Sequence, residues 1–381
     1  MSGCPFPFPF AWPAGPAQPD ALLQAHRDPF RTVTLPSGDA AVLATRYQTI
    51  RALLADPRIS KDRNRSGVAK MTTRPQKVFQ RRVDMSPPAH ARMRRLIARE
   101  FTAARVETLR PRIAAIVEEL LDRMAAGGAA EPVDLNTAFA FPLSIQVICE
   151  LLGVPAQDRH HFGDTSNPPW DYIRELIERK RRQPDSDLIS ALIAVTDAED
   201  GRLTPDELHF WSTLLLLAGY ETTANQLAGA VVLLLHHRDQ LALLRADPAL
   251  ITGAVEELLR CQVVGTSLSM LRYVTEDVTV DDRVIPQGTS IIPALECANH
   301  DPAVFADPGR IDLTRRDAQQ LTFSVGRHFC PGAPLARAQL QIGIGALIER
   351  FPTLRLAVAP ERLDRVDDHF FQGFRTVPVR W

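Results

Sequence analysis

Apolar residues recur at helical spacing over most of the chain and alternate over only a few short runs. Val106, Leu109, Ile113, Ile116, Leu120 and Met124 form one such stripe, which stops at Gly127-Gly128 and predicts a core helix. Phe139 to Gly153 predicts another buried helix, closing at Leu152-Gly153-Val154-Pro155, and Tyr172 to Arg182 a third. The longest apolar region, Leu214 to Leu235, is interrupted by Glu221, Asn225 and Gln226, so it predicts a buried helix rather than a membrane span. That helix has a marked start in Leu203-Thr204-Pro205-Asp206-Glu207: a Thr cap, Pro at the first helical position and acids in the first turn. Leu335, Leu340, Ile342, Ile344, Leu347 and Ile348 mark a helix near the C-terminus.

Strand signals are shorter. Val33-Thr34-Leu35 and Ala41-Val42-Leu43 flank Pro36-Ser37-Gly38-Asp39 as a hairpin. Leu271 to Val274, Val278 to Val280 and Ser290 to Pro293 read as strands, with Ile285-Pro286-Gln287-Gly288-Thr289 turning into the last. A helix from Tyr47 to Leu54 ends near Asp56-Pro57, and polar, basic Asn64 to Arg82 reads as a connecting loop. Ser86-Pro87-Pro88 caps the helix that carries His90 and Arg94. The fold class is therefore mainly α with smaller β-sheet regions.

Composition narrows the function. With 381 residues, 45% hydrophobic and 23% charged, the chain has material for an ordinary soluble core. A formal net charge of -1 argues against bulk nucleic-acid binding. The N-terminal run Cys4 to Pro13 is apolar but broken by prolines and lacks a basic flank, so it reads as neither signal peptide nor membrane anchor. Cys4, Cys149, Cys261, Cys297 and Cys330 are scattered, with no disulfide framework and no metal-finger spacing, which favours the cytoplasm. One cysteine with His328 cannot make a zinc site, whereas a porphyrin brings four nitrogen ligands and needs only one more.

The stretch with chemistry is Phe323-Ser324-Val325-Gly326-Arg327-His328-Phe329-Cys330-Pro331-Gly332-Ala333-Pro334-Leu335-Ala336-Arg337. A lone loop cysteine is ordinarily a small apolar core residue. Here Cys330 precedes a helix N-terminus, where the dipole favours a thiolate, and Gly326 and Gly332 let the backbone approach something flat. His90 and Arg94, four apart on one helix face, are either a solvated basic face or two donors for a carboxylate. In Ala218-Gly219-Tyr220-Glu221-Thr222-Thr223, an acid and a hydroxyl sit in an apolar helix; Thr222 alone would bond its own backbone. Glu257 and Arg260, at i and i+3, would by themselves be a surface pair.

Together these residues resemble the cytochrome P450 family over nearly the whole chain. Phe-x-x-Gly-x-His-x-Cys-x-Gly-x-x-Leu-Ala-Arg is similar to its heme-ligand loop, with Ser324 where the family usually has glycine, which should tighten or shift the turn. The resemblance implies one P450 domain over 1–381, with heme b lying between the long central helix and the helix after the Cys loop. It implies Cys330 as iron ligand, and His90, Arg94, Arg272 and His328 as propionate partners, with Phe323, Gly332 and Ala218 also against the heme. Gly219 would admit dioxygen to a locally opened helix, and Glu221 and Thr222 would relay protons. Glu257 and Arg260 would form a fold-building ion pair, with Arg310 as its third member. The interval 163–171 looks shortened by about one helix relative to the family's pocket roof, and Phe370-Phe371 belong to a substrate-touching hairpin.

The implied activity is a heme-thiolate monooxygenase that uses O2 to hydroxylate or epoxidise a small organic substrate, in secondary-metabolite biosynthesis. The chain has no Gly-rich nucleotide fingerprint after a strand, so electrons would come from a ferredoxin and its reductase, with Arg92, Arg95, Arg105 and Arg327 as docking charges. Oxidative coupling or peroxide-driven oxidation on the same fold is the alternative. A non-enzymatic heme-thiolate ligand-binding protein is a third reading, without an output domain to support it.

Overall fold

The computed structural model describes residues 8–11, 13, 16, 22, 24–62, 65–73, 87–128, 131–162, 169–198, 203–265, 267–316, 319–366 and 371–381. Its principal helices in chain order are α1 (Tyr47–Ala55), α2 (Pro87–Ile97), α3 (Ala103–Ala126), α4 (Phe141–Leu152), α5 (Trp170–Arg182), α6 (Leu188–Asp197), α7 (Pro205–His236), α8 (Arg238–Ala246), α9 (Ile251–Cys261), α10 (Leu295–Ala298) and α11 (Ala333–Arg350). The strands are β1 (Phe30–Thr34), β2 (Ala40–Ala44), β3 (Ile59–Ser60), β4 (Val133–Asp134), β5 (Arg272–Val274), β6 (Val278–Val280), β7 (Arg283–Ile285), β8 (Ser290–Pro293), β9 (Arg355–Leu356) and β10 (Pro378–Arg380). The mainly α reading holds. Ser86, residues 163–168 of the shortened interval, Phe370, and Cys4 to Pro7 of the apolar N-terminal run lie outside the described residues. So does most of the Asn64 to Arg82 loop.

Two compact units share the chain. The first comprises Met1–His90, Val232–Cys330 and Ala359–Arg375. Its five-stranded sheet has the order β1-β2-β8-β5-β3. The expected hairpin pairs Phe30 with Ala44 through Thr34 with Ala40, and Gly38 takes φ +92° in its turn. Tyr47, Ile50, Leu53, Val274, Ile291, Phe305 and Leu321 bury one core against α1. β7, which pairs with β6 around Asp281 and Asp282, was not expected as a strand. Three residues, of which only Ile285 is buried, give too little alternation to read.

The second unit comprises Ala91–Val231, Pro331–Val358 and Thr376–Trp381. Helix α3 packs along α11, and Val106, Ile113, Ile116, Leu120 and Met124 of its predicted stripe are buried while Leu109 is half-buried. Thr102 caps α3 by accepting from the Arg105 N–H. A π-helical turn, Asn136–Ala140, leads into α4, which stops at Gly153 with φ +75°. The capping of α7 is reciprocal: the Glu207 N–H donates to Thr204 Oγ1 at 3.2 Å, and the Thr204 N–H donates to Glu207 Oε2 at 3.0 Å. Among the described residues no single helix is long and apolar enough to cross a membrane; α7 and α8 combine sufficient length and apolarity only as a pair bent by 101°.

Candidate active site

The Cys loop is closed by a backbone hydrogen bond from the Cys330 N–H to the Phe323 carbonyl, 2.9 Å. Its geometry needs two left-handed residues, Ser324 at φ +62° and Gly326 at φ +70°. A Cβ on Gly326 would stand 2.7 Å from the Leu54 carbonyl oxygen of α1, so this glycine serves the docking of the loop on α1. Gly332, with φ -76°, is the N-cap of α11, and its carbonyl accepts the Ala336 N–H at 2.9 Å. Neither glycine requires the flat neighbour that the sequence suggested for it. Ser324 holds a side chain in the left-handed region, and its hydroxyl oxygen is buried without a hydrogen-bond partner among the described residues.

Of the described cysteines, Cys149, Cys261 and Cys297 are buried and Cys330 is half-buried; none of the four is in a disulfide. Burial pushes the Cys149 and Cys261 thiols up to about 12 and Cys297 well above the usual thiol range, so these three stay protonated core residues. Among the described residues no cluster of three or more His, Cys, Asp or Glu can hold a metal ion. A single accessible thiol suits an iron that brings its own equatorial ligands.

Beside the loop, the His328 ring lies 4.4 Å from the His90 ring, tilted by 48°. Burial, followed by the charges of Arg272, Lys61, His90 and Arg327, drives His328 down to about 2, so it is neutral. Arg272, Lys61 and Arg327 bring positive charge to the place, a setting that fits carboxylate groups such as heme propionates. Arg272 is buried and anchored by its own NH1, which donates to the Met270 and Leu271 carbonyls at 2.8 and 3.0 Å. Arg94, one turn beyond His90 on α2, is half-buried.

Three of the four expected docking arginines also make contacts within the chain. Arg327 donates to the Asp56, Pro57 and Ile59 carbonyls, which fastens the Cys loop to the end of α1. Arg92 pairs with Glu207, and Arg105 pairs with Glu100 and donates to the Ser186 carbonyl at 2.9 Å. Arg95 alone of the four is exposed. Long arginines reach internal acceptors that their sequence positions do not reveal.

On α7, Thr222 Oγ1 donates to the Ala218 carbonyl at 2.9 Å, and Asn225 Nδ2 donates to the Glu221 carbonyl at 2.9 Å. The helix runs unbroken, contrary to the expected local opening at Gly219. Gly219 has a packing reason instead: a Cβ there would lie 2.6 Å from Cδ1 and Cγ1 of Ile148 on α4. Although most of α7 is buried, Leu214, Leu217, Glu221 and Thr222 are half-buried and Ala218 is exposed. Their spacing places them on one face, so the middle of this helix presents an accessible, mostly apolar stripe that includes the oxygen-activation candidates.

The ion pair is confirmed with a different third member. Arg260 Nε meets Glu257 at 2.7 Å, with both side chains almost fully buried, and the second guanidinium is Arg315, 3.2 Å from Glu257. Arg310 is exposed and contributes only its carbonyl, which accepts from Arg260 NH2 at 3.1 Å. Sequence reasoning also missed Asn299, which accepts the Leu321 N–H at 2.7 Å and donates to Thr322 Oγ1 at 2.8 Å, tying down the loop before the cysteine.

Comparison with known proteins agrees with this geometry. A family model described as cytochrome P450 matches residues 141–364. The chain is 41% identical over 384 residues to the cytochrome P450 monooxygenase PikC of Streptomyces venezuelae, spanning 97% of this chain and 91% of that protein. It is 38% identical to the mycinamicin IV hydroxylase/epoxidase of Micromonospora griseorubida, spanning 93% of each. The solved structure of SgvP, a putative thioether synthase in the tailoring step of griseoviridin, superposes with a TM-score of 0.90 at 38% identity, covering 99% of this chain and 100% of that one.

Proposed function

Because this chain belongs to the cytochrome P450 family, we propose that Cys330 is the thiolate that would hold its heme. The protein is a heme-thiolate monooxygenase, an oxidoreductase with heme b as cofactor that acts on small organic molecules with O2. The heme, when bound, supplies the iron at which dioxygen is activated. The observation that carries the assignment is Cys330 itself, the accessible thiol of a loop closed onto Phe323 while the other described cysteines are sealed in the core.

In this reading Cys330 would hold the iron and supply it with the electron density of a thiolate. His90, Arg94, Arg272 and His328 hold the propionates, with Phe323, Gly332 and Ala218 against the ring. Thr222 Oγ1 exchanges the Ala218 carbonyl for the oxygen substrate and holds a proton toward it, and the Glu221 carboxyl resupplies that proton. The apolar residues of the α7 stripe exclude water from the reacting carbon. The two units, which share the lengths of α2 and α7, act as one P450 domain.

Electrons come from a ferredoxin and its reductase, and the substrate is a secondary metabolite modified by hydroxylation or epoxidation, by analogy with the mycinamicin IV hydroxylase/epoxidase. The free thiols support a cytoplasmic location. Similarity to a putative thioether synthase makes oxidative bond formation the second reading. The test is the absorption spectrum of the reduced protein with and without carbon monoxide. A strongly red-shifted Soret band, lost in Cys330→Ser, is expected; an unchanged thiolate spectrum in that variant overturns the ligand assignment.

A further inference from the structure

Trp211, near the start of α7, is 8% exposed, and its indole nitrogen is shielded from solvent with no hydrogen-bond partner among the described residues. A buried N–H without an acceptor costs about 1–3 kcal/mol, and buried indoles ordinarily find one. A plain aromatic ring avoids that cost, and the adjacent Phe210, whose ring meets the indole edge-on at 5.6 Å, fills its space in this way. The nitrogen is therefore unexplained by packing.

Its position on the helix is informative. Residues 211, 218 and 222 are separated by 7 and 11 positions, close to whole numbers of turns, so Trp211 stands on the same face as Ala218 and Thr222. Leu214 and Leu215 lie between them on that face. The stripe thus has an indole donor at one end, an apolar middle, and the accessible oxygen-activation candidates at the other. At 1.5 Å per residue, Trp211 and Ala218 are about 10 Å apart along the helix.

We propose that Trp211 is a substrate-specificity residue whose indole N–H donates to no protein group because it donates to a carbonyl, ester or ether oxygen of the substrate. The substrate is then an extended, largely apolar molecule with an acceptor oxygen about 10 Å from the carbon that is oxidised. Such a ligand buries its apolar body along Leu214 and Leu215 while it parts the side chains over the nitrogen. Water has no apolar body to bury in exchange and does not substitute. This assignment rests on the reading of α7 as the helix beside the reacting carbon.

The test uses the heme-loaded protein and a series of 1-substituted imidazoles, which anchor by ligating the iron and carry tails of graded length, each ending in either a methyl ester or the isosteric alkyl group. Binding is read from the Soret shift, and the Trp211 indole N–H resonance, assigned with Trp211→Phe, is read by NMR in the unmodified sequence. The expected result is that ester tails reaching about 10 Å bind roughly 10-fold tighter than their alkyl counterparts, a difference of about 1.4 kcal/mol. The gain disappears in Trp211→Phe, and the Trp211 resonance moves downfield only with those ligands. Equal affinities with an unmoved resonance overturn the specificity assignment while leaving the heme reading intact. A protein that takes up no heme and shows no Soret band at the start overturns the heme reading and this assignment with it.

Discussion

Gly219 of α7 and Ile148 of α4 approach so closely that a Cβ at position 219 would sit 2.6 Å from two carbons of the isoleucine side chain. Replacing a mid-helix glycine with alanine ordinarily gains about 1 kcal/mol of helix propensity. Overpacking costs about 1–3 kcal/mol, and here the clash involves the branched part of Ile148, so the cost should exceed the gain. Gly219→Ala should lower the urea midpoint, and Ile148→Ala introduced beside it should recover more stability than additivity allows. Additive effects in that double-mutant cycle would remove the packing explanation.

Thr222 separates stability from function. Its hydrogen bond is local to α7 and half-accessible, so Thr222→Ala should change unfolding free energy by less than about 0.5 kcal/mol. In the same variant, product formed per reductant consumed should fall severalfold, because a proton is no longer held toward the oxygen substrate. Retained tight coupling would leave Thr222 as a helix residue and nothing more.

The ion-pair network shows where legibility stopped. Glu257 and Arg260 were readable because both lie on one helix at fixed spacing. The third partner was not, since Arg310 and Arg315 occupy an irregular loop where no period says which guanidinium turns inward. Arg315→Ala removes one of two cations facing the buried Glu257 carboxylate and should cost about 1–3 kcal/mol in chemical denaturation. Arg310→Ala should stay within about 0.5 kcal/mol, because its carbonyl, not its side chain, makes the contact. A larger loss from Arg310 would restore the sequence-based choice.

The same limit applies across the molecule. Helices with long apolar periods, caps and glycine stops were readable, and so were the Cys loop and the α7 motif, whose residues are contiguous. Strands of two or three residues and the internal acceptors of Arg92, Arg105 and Arg327 depend on chain segments brought together only by folding. The reason for Gly219 was equally invisible, since it lies on another helix.

His300 predicts the acid limb of stability. Burial, reinforced by Arg260 and His26, pushes it down to about 3, while its Nδ1 pairs with the Glu296 carbonyl at 2.8 Å. With the folded value below the unfolded one, the unfolded chain takes up the proton first as pH falls. The contribution is therefore complete above about pH 6.5 and is lost as pH falls toward 3. Between pH 7 and 5 the loss from this residue is about 2 kcal/mol. His300→Gln keeps a donor for the carbonyl without titrating, so its unfolding free energy should fall about 2 kcal/mol less over that interval. Parallel pH profiles would show that His300 titrates freely.

Ser324 sits two energetic costs deep in the Cys loop. A non-glycine residue in the left-handed region costs about 1–2 kcal/mol, and its buried, unpartnered hydroxyl adds about 1–3 kcal/mol. Ser324→Gly relieves both, against about 0.4–1 kcal/mol of extra freedom in the unfolded chain. The balance favours the variant, so heme-free Ser324→Gly should be more stable by at least about 1 kcal/mol in urea unfolding. Ser324→Ala removes the hydroxyl but keeps the left-handed side chain, and should recover only part of the gain. If alanine matches glycine, the orphaned hydroxyl dominates; if alanine changes nothing, backbone strain does. A glycine variant no more stable than the parent would mean that the loop relaxes around Ser324 and stores neither cost.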